Sequence, residues 1–171
     1  MSDAYAAALA HNCTLFDTAE VYGAGAFGGW GTSERYLGAC LAEHAGGPGP
    51  KPVVVSKYMP LPWRFREPRS LLAALGASVE RLGVERIDIY LIHSPAATLR
   101  SVATLAGALE AAVGGGQARA VGVSNYSEAE LRETHRILAE RGIPLAVRAR
   151  RGGGGGGRRR RQSVGGSLLV H

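Results

Sequence analysis

Short apolar runs return along this chain at a nearly fixed interval, and that interval limits the folds open to it. The runs are "TLFDT" (14–18), "PVVVS" (52–56), "IDIYLI" (87–92) and "ARAVGVS" (118–124), with strand starts at 14, 52, 87 and near 119. Starts 32 to 38 residues apart match the length of a strand-plus-helix unit, repeated without interruption. Three of the runs are close to continuous, the pattern of strands covered on both faces of a parallel sheet. "IDIYLI" keeps one charge, Asp88, near its start. Helical periodicity fills the gaps. Residues 33–44 put Tyr36, Leu37, Cys40 and Leu41 on one face, and Pro68 opens a segment carrying Leu71, Leu72, Leu75, Val79 and Leu82. Val102, Leu105, Ala106, Leu109 and Val113 repeat the pattern. Ser127 and Glu130 form a capping box ahead of Leu131 and Leu138. "AYAAALA" near the start reads as one more helix, and "IPLAV" (143–147) as the start of a fifth strand. A parallel α/β architecture follows.

Charge is unevenly placed. The 171 residues carry a formal +6, but Arg148 to His171 hold seven arginines and no acid, which leaves residues 1–147 at −1. Basicity therefore belongs to the tail, and a nucleic-acid role for the whole domain loses its main support. The tail, "RARRGGGGGGRRRRQSVGG", has no hydrophobic period and is expected to be disordered. The expected division is a folded unit over 1–147 and a low-complexity tail over 148–171. Cys13 and Cys40 are too few and too far apart for a zinc or C-x-x-C site and are expected to be buried thiols. No apolar run is long enough to span a membrane.

Gly23, Gly25 and Gly28 spell G-x-G-x-x-G. A dinucleotide-binding turn needs its first glycine directly off a strand and a helix immediately behind the last. Six residues, Asp17 to Tyr22, precede Gly23, and helical pattern resumes only near Ser33. A glycine-rich loop fits better. Position favours a different chemistry. In parallel α/β proteins ligands lie at the carboxyl ends of the strands. Those ends deliver Asp17 with Tyr22 just beyond, Ser56 and Lys57, His93, and Ser124 with Asn125. An ammonium beside a tyrosine favours its phenolate, a carboxylate orients the ammonium, and a histidine can orient a carbonyl oxygen. Together they make a proton donor for a carbonyl that is receiving a hydride.

On these residues the chain resembles the aldo-keto reductase family. "FDTAEVYG" is similar to that family's second-strand motif, "VSKY" to its third, "YLIHSP" to its fourth and "AVGVSNYS" to its fifth. "KYMPLPWRFREP" and "RGIPLA" look closest to a plant and algal, often plastid, branch. The resemblance implies a (β/α)8 TIM barrel. This chain matches it from Ala4 to Ala146, roughly the family's strands 2 to 5 with their helices and the start of strand 6, so a partial, weak or inactive form is expected. It implies NADPH-dependent reduction of aldehydes or ketones. Tyr22 would be the proton donor, Lys57 its activator, Asp17 the residue orienting Lys57, and His93 the residue positioning the carbonyl. Ser124 and Asn125 would hold the carboxamide of NADP(H). Trp30 and Trp63, in loops at the same edge, are expected as substrate-pocket walls. The expected partner is a small carbonyl compound, in the cytoplasm or plastid stroma. Arg64, Arg66 and Arg69 are expected as solvated charge, and His11, His44 and His135 as surface residues. The competing classes are a non-enzymatic barrel scaffold and an RNA-associated protein acting through the Arg/Gly tail.

Overall fold

The computed structural model describes residues 2–24, 29–47, 50–95, 100–149 and 168–170. Five parallel strands stand side by side in chain order: β1 (Leu15–Asp17), β2 (Val53–Tyr58), β3 (Ile87–Ile92), β4 (Ala118–Ser124) and β5 (Leu145–Ala149). A doubly wound sheet reverses its order at a switch point. Here each strand adds on the same side as the last, which is the winding of a barrel wall. The helices are α1 (Ser2–Ala10), α2 (Thr32–Glu43), α3 (Arg69–Leu82), α4 (Val102–Gly114) and α5 (Glu128–Glu140).

Local chemistry sets the helix ends. Ser101 caps α4 by accepting from the Thr104 N–H, and Ser127 with Glu130 completes the expected capping box on α5. Gly83 ends α3 in the left-handed conformation, φ 66°, which costs glycine little. Pro68 sits one residue earlier than its sequence pattern suggests, at the N-cap of α3 rather than inside it. Gly38 lets α2 and α3 approach closely: a Cβ there would lie 2.5 Å from the Arg81 carbonyl oxygen. Beside that contact, Glu34 is fully buried, accepting from Ser56 Oγ at 2.5 Å and from Arg81 Nε at 2.7 Å. Asp88, the charge inside the third apolar run, accepts from the Val54 N–H at 3.0 Å and pairs with Arg119 at 3.7 Å.

Strand alternation sorts the side chains. Val54, Tyr58, Tyr90, Ile92, Val121 and Val123 pack with Leu71, Leu75, Leu105, Leu109 and Leu138 from the helices. Val55 and Leu91, with Ile89 and Ala146, form a separate cluster on the opposite face. Register aligns Asp17 with Val55 and Lys57 with Leu91 and Gly122, so Asp17 and Lys57 belong to that second face.

Some expectations change. Leu168–Val170 form a further strand, β6, antiparallel to β5, and residues 148 and 149 complete β5. Three consecutive apolar residues pairing with the open side of β5 account for structure where composition pointed to none. The rest of the tail lies outside the described residues. Cys40 is buried but Cys13 is exposed, in the turn between α1 and the edge strand β1. His44 is half-buried at the end of α2, its ring 4.9 Å from that of Tyr5. No helix among the described residues is long and apolar enough to cross a membrane.

Candidate active site

The carboxyl ends of the strands bring the sequence-predicted residues together. Asp17 is the last residue of β1, opposite Val55, so Lys57 is its diagonal neighbour on the same face. Asp17 Oδ1 lies 2.6 Å from Lys57 Nζ, which also donates to the Thr18 carbonyl at 2.8 Å. The lysine side chain is 3% exposed and the aspartate 42%. The cation is thus withdrawn into the protein while its counter-ion stays in reach of water, which lowers the cost of holding the pair.

Tyr22 follows on a tight turn, its N–H donating to the Ala19 carbonyl at 3.0 Å. Its ring lies under Lys57 Nζ, 4.8 Å from the centroid, and meets the His93 ring edge-on at 5.4 Å and 88°. His93 is seated just past β3 by its N–H, which donates to the Tyr58 carbonyl at 2.8 Å. Of the chain's six tyrosines, burial pushes the phenols of Tyr5, Tyr58, Tyr90 and Tyr126 above their ordinary range, and Glu67 adds to the effect on Tyr58. Those four hold their protons tightly. Tyr22 is exposed and stands beside a lysine.

Ser124 ends β4 and Asn125 follows it directly. Asn125 has φ 61°, a left-handed conformation that asparagine tolerates. That turn aims its Nδ2 at the His93 carbonyl, 2.7 Å away, and at Ser124 Oγ, 3.1 Å away. Asn125 Oδ1 is buried with no partner among the described residues. A primary carboxamide has N–H donors and one acceptor oxygen, so the unpartnered Oδ1 and the Ser124 hydroxyl fit such a group.

Among the described residues, the ring contacts of Tyr22 and His93 do not include Trp30 or Trp63. Trp30 is stacked on Arg64, 5.4 Å from its ring centroid, and Trp63 is 68% exposed. Cavities give little guidance. One of about 260 Å³ between α1, β1 and α2 reaches Asp17 and Thr18, and one of about 950 Å³ opens at the other end of the strands. Neither is lined by Tyr22, Lys57 or His93. Convergence of polar groups marks the site better than concavity does. In the glycine-rich loop, Gly23 turns at φ 84° against Thr32, while Gly25 and Gly28 lie outside the described residues.

Arg64 corrects the sequence reading. It is not solvated charge: Nη1 bonds Glu20 Oε1 at 2.5 Å, and the guanidinium covers the Tyr58 ring at 5.2 Å. Arg66 and Arg69 are exposed, as expected. Glu20, which no sequence motif marks, is buried. Its partner stands 44 residues away, a pairing that no local pattern announces.

The profile of the Aldo/keto reductase family matches residues 1–149. The chain belongs to the aldo/keto reductase family. It is 35% identical over 149 residues to "Pyridoxal reductase, chloroplastic" of Arabidopsis thaliana, covering 85% of this chain and 40% of that protein. An aldo-keto reductase of Mycolicibacterium paratuberculosis is 35% identical over 125 residues, 73% of this chain and 40% of its own length. Among solved structures, a thermostable aldo-keto reductase in complex with the inhibitor epalrestat superposes with TM-score 0.67 at 26% identity, over 84% of this chain and 47% of that one. An aldo/keto reductase from Klebsiella pneumoniae, in complex with NADP and acetate, gives 0.63 at 27% identity, over 79% and 42%. The chain therefore spans less than half the length of these reductases, and its sheet corresponds to part of their barrel.

Proposed function

We propose that this protein reduces aldehydes or ketones to alcohols with NADPH, through Asp17, Tyr22, Lys57 and His93. The observation that carries the reading is the seating of Lys57. A withdrawn ammonium, held by Asp17 and the Thr18 carbonyl, lies over the ring of the exposed Tyr22, whose other neighbour is His93. Ser124 and Asn125 would bind the nicotinamide carboxamide through the hydroxyl and the unpartnered Oδ1. NADPH bound there supplies the hydride. Tyr22 gives its phenolic proton to the carbonyl oxygen, and Lys57 stabilises the phenolate that remains. Asp17 keeps Lys57 charged and in place. His93 directs the carbonyl oxygen toward Tyr22.

The chloroplastic relative acting on pyridoxal supports a small aldehyde as substrate and a plastid as one compartment. Residues 1–149 would form the reductase unit. Expressed by itself, the 171-residue chain is expected to bind NADPH weakly, because Ser124 and Asn125 grip only one end of the cofactor. The test is NADPH oxidation by the purified chain with pyridoxal and a panel of simple aldehydes. Tyr22→Phe should lower kcat by about 10²–10⁴, the usual contribution of a positioned general acid, without weakening NADPH binding. Undiminished turnover in Tyr22→Phe would remove Tyr22 from the mechanism.

A further inference from the structure

A buried carboxylate is costly unless it is paired and hydrogen-bonded. Glu20 is one, 2% exposed, in the middle of the turn that separates Asp17 from Tyr22. Its Oε1 accepts from the Met59 N–H at 2.7 Å and from Arg64 Nη1 at 2.5 Å. Its backbone N–H donates to the Lys57 carbonyl at 3.4 Å, and its carbonyl accepts from the Gly31 N–H at 2.7 Å. These bonds run to the residues on either side of Tyr58 at the exit of β2, and to the entrance of α2. Arg64 is fixed in turn. It donates to the Met59 carbonyl at 3.2 Å, lies over Trp30 and Tyr58, and its own carbonyl accepts from Arg100.

Glu20 bonds both residues that flank Tyr58, Lys57 through its backbone and Met59 through its carboxylate. Asp17 and Thr18 hold the ammonium, but neither holds the phenol. Tyr22 stands two residues beyond Glu20, and Met59 stands two beyond Lys57. Take away the carboxylate and the turn keeps the Glu20 backbone bonds, the Tyr22-to-Ala19 bond and a 3.3 Å bond from the Ser33 N–H to the Tyr22 carbonyl. Thr18 also stays tied to β2, through its N–H to the Val55 carbonyl at 2.8 Å and through Lys57 Nζ to its own carbonyl at 2.8 Å, but the carboxylate's bonds to Met59 and Arg64, on the Tyr22 side of the turn, are gone.

We propose that Glu20 is a positioning residue for proton transfer: its carboxylate braces the Thr18–Tyr22 turn against the exit of β2 and keeps the Tyr22 ring beside Lys57. The proposal rests on the reading of Tyr22 as proton donor, and it adds a residue that touches neither substrate nor cofactor.

Three substitutions in the 171-residue chain test it. Glu20→Gln keeps the reach and an acceptor. Glu20→Asp keeps the charge but draws it back by one carbon. Glu20→Ala removes both. Two readouts are taken below each variant's melting temperature: NADPH-dependent aldehyde reduction, and hydroxyl-radical labelling of Tyr22 relative to the exposed Tyr36. Glu20→Asp and Glu20→Ala should lower kcat by on the order of 10- to 100-fold, the size of effect a displacement of about 1 Å produces, with KM nearly unchanged. Labelling of Tyr22 should rise in both. Glu20→Gln should restore most of kcat and the original labelling. Unchanged Tyr22 labelling in Glu20→Asp and Glu20→Ala overturns the proposal, whatever the turnover. Where the parent chain reduces aldehyde, an equal kcat in Glu20→Asp also overturns it. Failure of the functional reading looks different: the parent chain itself then reduces no aldehyde while Tyr22 labelling still answers to Glu20, which supports the brace and overturns the chemistry it serves.

Discussion

On its helix-covered face, the sheet buries Val54, Tyr58, Tyr90, Ile92, Val121 and Val123 against leucines from α3, α4 and α5. Toward the carboxyl ends of the strands, the other face has the small cluster of Val55 and Leu91, with Ile89 and Ala146 beside them, and next to it Asp17, Lys57 and Gly122. Both faces come from the same strands, one residue out of step. The period of two thus separates two tasks. One parity carries the apolar burial that holds the sheet to its helices. The other brings titratable groups to a common edge and gives up packing to do so. Substitutions on the two faces should therefore fall into different classes, and that separation can be measured.

The largest expected loss of stability is on the helix side, at the buried Glu34–Arg81 pair. Arg81→Ala leaves a fully buried carboxylate with Ser56 as its remaining side-chain partner. Breaking a buried pair by removing one member costs about 3–5 kcal/mol, which urea unfolding would register. An unchanged unfolding midpoint would mean that water reaches Glu34 and that the helix layer is less closed than its geometry indicates. Leucine truncations sharpen the comparison at smaller cost. Leu75→Ala, in the large cluster, should lose about 2–5 kcal/mol. Leu91→Ala removes the same atoms from the small cluster and should fall at or below the bottom of that range, about 2 kcal/mol. Equal losses would show that the two faces are equally well packed, and the division of tasks would fail.

Alkaline pH gives a subtler separation. Burial raises the phenols of Tyr58, Tyr90 and Tyr126, all in the helix-side cluster, above the ordinary value of 10.0. The folded chain then holds protons that the unfolded chain releases near that pH. Stability from this source is complete below pH 10 and is lost as pH rises beyond it. Unfolding midpoints should be flat up to that point with respect to these groups and then decline. Tyr90→Phe should reduce the alkaline slope. A slope unaltered by Tyr90→Phe would place the alkaline sensitivity elsewhere.

Local signals in the sequence located most of this architecture. The third and fourth apolar runs are β3 and β4 residue for residue, and the capping box on α5 lies where Ser127 and Glu130 place it. The strand-end positions of Asp17, Lys57, His93 and Ser124 follow from strand boundaries alone. What stayed hidden depends on partners far apart in the chain. Arg64 reads as a solvated charge until Glu20, 44 residues earlier, is folded against it. Composition favoured a structureless end to the chain, yet Leu168–Val170 pair with β5, because an unpaired strand offers hydrogen bonds that composition does not record. Cys13 looked buried by residue type, and its place beside an edge strand exposes it.

Tyr126 gives the smallest expected effect and the finest test of the two-face argument. It follows Asn125 directly, so the chain passes from the turn that ends at His93 and Ser124 to the helix-side cluster in one step. Its ring is 5% exposed, and its hydroxyl is buried with no partner among the described groups. A buried hydroxyl that forms no hydrogen bond bears its desolvation cost without recompense, and removing it is neutral or favourable. Tyr126→Phe keeps the ring and every apolar contact, so stability should be unchanged or rise by about 1 kcal/mol. Any change in kcat should be slight, because Asn125 is held by its own bonds to His93 and Ser124 rather than by the phenol that follows it. A loss of stability in Tyr126→Phe would reveal a partner for that hydroxyl, a water or a group beyond the described residues. A loss of turnover at constant stability would be more damaging, since a residue on the helix side would then be acting on the opposite face.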